Sequence, residues 1–114
     1  MKKREIIIKQ YFESWKKKDI SIIEKHFSEN IKYTHYNGID QVKEKFNDDR
    51  LWRNGYNVLK WEIKRFIENK NIIAVEWFIE FEYIEEKCSY DGASIFEFDE
   101  NDKIVVYKEF IENE

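Results

Sequence analysis

Between Ile73 and Tyr83 the chain alternates with a period of two. Val75, Trp77, Ile79, Phe81 and Tyr83 fall on one face, and Glu76, Glu80 and Glu82 on the other, with Phe78 among them. Successive side chains of an extended strand point to opposite sides of a sheet, so this pattern is a strand. Its one apolar and one charged face suit a half-buried antiparallel sheet. Such a strand needs further strands beside it and a second layer over its apolar face.

The flanking sequence supplies both. Residues 57 to 68 alternate more loosely, with Trp61, Ile63 and Ile67 among charges, and Asn69-Lys70-Asn71 forms a polar turn. Residues 90 to 98 and 104 to 112 read as two more strands, joined through Asp99-Glu100-Asn101-Asp102. Upstream, Ile8, Tyr11, Phe12 and Trp15 sit at i, i+3, i+4 and i+7, which predicts a helix over residues 3 to 17. Asp19 breaks that stripe, and Ser21-Ile22-Ile23-Glu24 has the spacing of a capping box opening a short second helix, with Ile23 and Phe27 on one face. Residues 31 to 36 read as a short strand with Ile31, Tyr33 and His35 on one face and Lys32, Thr34 and Tyr36 on the other. Asn37-Gly38 is a turn signal, and Asp40 looks like the N-cap of a third helix marked by Val42 and Phe46. Helices followed by a run of consecutive strands predict an α+β fold, here one domain over residues 1–114. A curved antiparallel sheet wrapped over about three N-terminal helices would leave an apolar pocket between the layers.

Composition limits what that pocket and the surface do. Four Trp, seven Tyr and nine Phe in 114 residues exceed what is usual, and rings both fill cores and line pockets for flat ligands. The net charge of −4, with both signs interspersed, argues against nucleic acid, which needs a basic patch. Lys16, Lys17 and Lys18 close the first helix, where cations suit its dipole. A single cysteine, Cys88, allows no internal disulfide, which fits a reducing cytoplasm; it reads as structural or incidental. No early apolar run has signal-peptide length and none is long enough to span a membrane, so the expectation is a cytoplasmic protein with no membrane partner. There is no Gly-rich phosphate loop and no nucleophile elbow, and His26, His35 and Cys88 lack metal-ligand spacing.

Four stretches in order carry a resemblance to a known family. They are Tyr11-Phe12-Glu13-Ser14-Trp15 with Lys18-Asp19-Ile20, then Phe27 to Tyr33, then Gly38-Ile39-Asp40-Gln41-Val42, and finally Phe98-Asp99-Glu100-Asn101-Asp102-Lys103-Ile104. Together they resemble the nuclear transport factor 2-like superfamily, nearest to its SnoaL-like subgroup. The resemblance implies a cone-shaped fold and a cofactor-free isomerase, cyclase or lyase acting on an apolar carbonyl compound. It equally implies a non-catalytic ligand-binding or dimerisation module, with a homodimer formed through the open sheet face and Phe78 on that face. The fold alone decides between none of these.

Set against the ketosteroid isomerases of that superfamily, the base position is occupied by His35, the helix-one oxyanion donor by Tyr11, and the second donor by Ser94. Imidazole suits proton removal near neutral pH, and a phenol suits polarising a carbonyl. Each has a blander reading as well: Tyr11 lies on an apolar stripe, His35 shares a face with Ile31 and Tyr33, and Ser94 is a small strand residue. Against the epoxide hydrolases, Glu109 falls at the catalytic Asp and Tyr107 at a Trp, while Trp77 and Ile79 stand where the partner Arg and Asp would be. Trp15, Trp52, Trp61 and Trp77 are candidate pocket walls, as is Tyr33, and Arg50 to Gly55 is either a lid or a loop. The catalytic candidates are thus His35 and Tyr11. Trp15, Tyr33, Trp52, Trp77, Ser94, Tyr107 and Glu109 are expected to line the pocket.

Overall fold

The first helix forms where its apolar stripe predicts. In the computed structural model, which describes residues 3–48 and 52–112, α1 runs Lys3–Lys17 and buries Ile7, Ile8, Tyr11, Phe12 and Trp15. Lys18 turns the chain with φ 58°, and Asp19 N–H closes the helix on the Ser14 carbonyl at 3.0 Å. α2 (Ser21–His26) follows, but the expected capping box does not form. Ser21 is already helical, and its N–H is taken by Asp19 Oδ1 at 2.9 Å, so Glu24 has no cap to reach back to. Glu24 instead pairs with Lys43 at 3.3 Å.

The first strand differs from its reading in both bounds. β1 spans Phe27–Tyr33, not residues 31 to 36. It ends there because Thr34 enters the left-handed region at φ 44° and donates its N–H to the Tyr107 carbonyl at 2.9 Å. The chain then doubles back as β2 (Tyr36–Asn37), antiparallel to Lys32 and Tyr33. His35 is therefore exposed on a turn and does not share the buried face of Ile31 and Tyr33. α3 (Ile39–Phe46) starts one residue before Asp40, with Gly38 at φ 84° supplying a backbone that other residues rarely adopt. Asp40 lies in the first turn, where its charge suits the helix dipole, and Gln41 Oε1 takes the Asn37 N–H at 2.8 Å.

The remaining strands form the expected meander: β3 (Asn57–Asn69), β4 (Ile72–Tyr83), β5 (Glu86–Phe98) and β6 (Ile104–Ile111). β5 begins four residues earlier than its alternation suggests, because a tight turn at Ile84 and Glu85, both at positive φ, pairs Tyr83 directly with Glu86. The six strands lie in the order β2-β1-β6-β5-β4-β3. All neighbours are antiparallel except β1 and β6, which run parallel. Register breaks within β3, at Val58/Lys60 and Ile63/Arg65, are the kind of irregularity that bends a sheet.

The sheet stays open and curves over the helices, the α+β cone expected from the resemblance. Its inner face carries Ile73, Val75, Trp77 and Ile79 of β4, all at most 5% exposed, against Phe12 and Trp15 of α1. Phe12 stacks on Trp61 with ring centroids 4.4 Å apart, locking α1 to β3.

Candidate functional site

The inner face is not filled completely. Toward the Ile111 end of β6 the layers leave a cavity of about 210 Å³. Trp15 of α1 and Lys45 of α3 form one side, and Trp61, Trp77, Ile79 and Phe81 come from β3 and β4. Tyr33, Tyr56, Tyr90, Glu109 and Ile111 complete the wall. An adjoining outer depression of about 360 Å³ shares Tyr33, Lys45, Glu109 and Ile111 with it. Lys45 and Glu109 thus stand where the two spaces meet.

A one-way chain of hydrogen bonds leads to Glu109. Tyr107 donates its hydroxyl proton to Glu109 Oε1 at 2.6 Å. Its oxygen is then left to accept from Ser94, whose Oγ lies 3.1 Å away. Ser94 Oγ in turn accepts from Trp77 Nε1 at 2.9 Å. Trp77, Ser94 and Tyr107 are all buried, so each of these groups has lost water and needs the partner it has. Beside the chain, the Tyr11 and Tyr33 hydroxyls hydrogen-bond to each other. Burial first, and then neighbouring negative charge including that of Glu109, holds the Tyr11, Tyr33 and Tyr107 hydroxyls above the usual phenol range. Tyr56 is pushed up to about 12 by the same two causes. All four are neutral donors at physiological pH.

Lys45 is the other charged group on the cavity. Its Nζ lies 5.3 Å from the ring centre of Trp15, 5.2 Å from that of Tyr33 and 6.0 Å from that of Tyr36. Ring faces attract a cation, while burial opposes the charge and lowers the Lys45 pKa; Glu109 pulls it back up. Among the described residues no carboxylate lies within ion-pair distance of it.

Set against the sequence reading, the cavity brings together Trp15, Tyr33, Trp77 and Glu109. Ser94 and Tyr107 lie just behind, in contact with Glu109 and Trp77 through hydrogen bonds and not on the cavity surface. Tyr11 is also behind the wall, fully buried against Tyr33. His35 borders only the outer depression. His35, Tyr11 and Ser94 therefore do not converge on one space. Trp52 supports the wall from outside: its Nε1 bonds the Phe46 carbonyl at 3.1 Å and its ring packs on Trp15 and Tyr56. Of the segment read as a lid or loop, Arg50 and Leu51 lie outside the described residues.

The sequence reading does not name Lys45, Tyr56, Ile79, Phe81, Tyr90 or Ile111 as wall residues. Ile79 and Phe81 share the alternating face of Trp77, so that signal was present in the sequence. Lys45 left none, because a lysine beside Phe46 on a short helix reads as solvated. Among the described residues no cluster of His, Cys, Asp and Glu has a geometry that would hold a metal ion, and no helix is long and apolar enough to cross a membrane.

Comparison with known proteins agrees with the geometry of the fold. A family model described as a SnoaL-like domain matches residues 8–107. A nuclear transport factor 2-like protein of unknown function from Exiguobacterium sp. 255-15 superimposes with a TM-score of 0.79 at 16% identity, over 95% of this chain and 99% of that one. An epoxide hydrolase of M. tuberculosis, described as LEH-like, gives 0.77 at 8% identity, over 96% and 82%. A SnoaL-like polyketide cyclase from Agrobacterium tumefaciens gives 0.75 at 10% identity, over 99% and 94%. At these identities the likeness is one of fold. No functionally curated protein matches the sequence.

Proposed function

Since this chain belongs to the SnoaL-like domain family, and the fold alone sets no single chemistry, we propose that it binds a small, largely apolar molecule in the aromatic cavity. The observation that carries this reading is the cavity itself: about 210 Å³, walled by rings, with one lysine and one carboxylate at its mouth. Ligand sites commonly pair an apolar wall with a few polar groups that set orientation. A cavity of about 150 Å³ takes one benzene ring. The ligand is therefore a substituted single ring or a fused pair, and a four-ring skeleton is too large.

Three of the four tryptophans, Trp15, Trp61 and Trp77, line the cavity, so occupancy reports itself. Titrating the protein with one- and two-ring compounds should quench tryptophan fluorescence saturably and raise the melting temperature by mass action. Replacing Ile79 by Trp, which fills the space, should remove both effects. Quenching that survives in Ile79→Trp would place the ligand elsewhere and sink the reading.

A second reading, catalysis, is favoured by Glu109, the one carboxylate on the cavity wall among the described residues. A carboxylate beside a bound ketone is placed to remove an α-proton. The C–H electron pair becomes a C=C bond, and the carbonyl π pair moves onto oxygen. Return of a proton to the α-carbon exchanges it, and in a β,γ-unsaturated ketone return to the γ-carbon instead moves the double bond into conjugation, in both cases without any co-reactant. In heavy water the protein should speed deuterium incorporation at C1 of 2-tetralone, and Glu109→Gln should abolish the acceleration. Binding without any acceleration would leave the ligand-binding module as the reading. In this reading Glu109, and not His35 or Tyr11, moves the proton.

The outer face of the sheet carries Phe78 and the half-exposed Phe110 and Ile67 among charged residues. We propose this face as the contact between two copies of the chain.

A further inference from the structure

Among the described residues the cavity wall carries one cationic donor, Lys45. The Lys45 ammonium touches the rings of Trp15, Tyr33 and Tyr36, yet among the described residues it has no oxygen to donate to. The carboxylate on the same wall is Glu109, and one of its oxygens already takes the Tyr107 hydroxyl. A cation held partly out of water without an oxygen partner gains when a ligand brings an acceptor to it.

From this arrangement we infer that Lys45 is the specificity-determining group of the cavity, and that it selects a ligand carrying a neutral carbonyl oxygen, which it receives as a hydrogen-bond acceptor. This rests on the reading of the cavity as a ligand site. A carboxylate would also satisfy Lys45, but it would bring a second negative charge to the wall that holds Glu109. A ketone or aldehyde offers the oxygen without the charge. The aryl or alicyclic body of the molecule then lies among Trp61, Trp77 and Phe81. A lysine is suited to the part because its ammonium can rotate to meet a single oxygen.

The test compares 2-tetralone with tetralin, the hydrocarbon of the same skeleton, by fluorescence quenching and calorimetry. The wild-type protein should bind the ketone at least about tenfold more tightly, the size expected of one hydrogen bond to a charged donor. Lys45→Met keeps the methylenes packed against the rings. It should bring the ketone down to the affinity of tetralin while leaving tetralin unchanged, and Lys45→Arg should restore part of the preference. Equal binding of both probes by the wild type, or a ketone preference that survives in Lys45→Met, overturns the role of Lys45 and leaves the cavity reading standing. Binding of neither probe overturns the cavity reading and this inference with it.

Discussion

Trp77 and Gly92 stand directly opposite each other on β4 and β5, and the indole of Trp77 occupies the space a side chain on Gly92 would need. A Cβ at Gly92 would lie 2.5 Å from Trp77 Cη2 and 2.7 Å from the Phe110 carbonyl oxygen. The bare glycine lets the indole lie across the strand so that Nε1 reaches Ser94. Gly92→Ala should therefore cost roughly 1–3 kcal/mol, the usual range for overpacking a core. Urea denaturation followed by tryptophan fluorescence reads the loss. A wild-type midpoint would show that the indole has another place to go.

Ser94 is the middle member of the chain that ends on Glu109. Ser94→Ala leaves the Trp77 N–H buried with no acceptor and removes the donor to Tyr107. A buried polar group stripped of its partner costs about 1–3 kcal/mol. The same denaturation experiment should show a fall of that order. No fall would mean that the indole is satisfied by water.

Alkaline pH should unfold the protein earlier than its composition alone suggests. Tyr11, Tyr33, Tyr56 and Tyr107 all have pKa values raised above the ordinary 10.0, Tyr56 to about 12, with burial the largest cause in each. The folded state thus holds these protons where the unfolded state has released them. Their contribution is complete below pH 10 and is lost as pH rises through the folded values. Lys45 runs the other way: its lowered value means a cost that is relieved as pH climbs toward 10.5. Denaturation midpoints should fall from pH 10 upward, and fall less in Tyr56→Phe. A midpoint that stays level to pH 12 would contradict the burial of these hydroxyls.

The proposed pairing of two copies makes a prediction at Phe110, which is 54% exposed on the outer sheet face. Light scattering at micromolar concentration should give twice the chain mass for the wild type and the single chain mass for Phe110→Glu. A monomeric wild type would remove the proposal.

Much of this architecture is legible in the chain itself, because burial imposes the period of each element on its residues. The stripe of Ile8, Tyr11, Phe12 and Trp15 forms the buried face of α1, and the alternation from Ile73 to Ile79 forms the inner face of β4. Glu109 and Trp77 are both legible in the sequence as candidate wall residues. What periodicity cannot carry is the meeting of residues distant in the chain. His35 left its expected face because Thr34 turns the backbone to bond the Tyr107 carbonyl, a partner set by the parallel pairing of β1 with β6. Tyr11 passed behind the wall because Tyr33 lies in front of it. Lys45 reached the cavity because α3 packs against β1 and brings the ammonium over the rings of Trp15 and Tyr33. The sequence by itself determined which faces are apolar, since that depends on neighbours one to four residues away. Only the tertiary structure decided which polar groups border the cavity, since that depends on how the layers close.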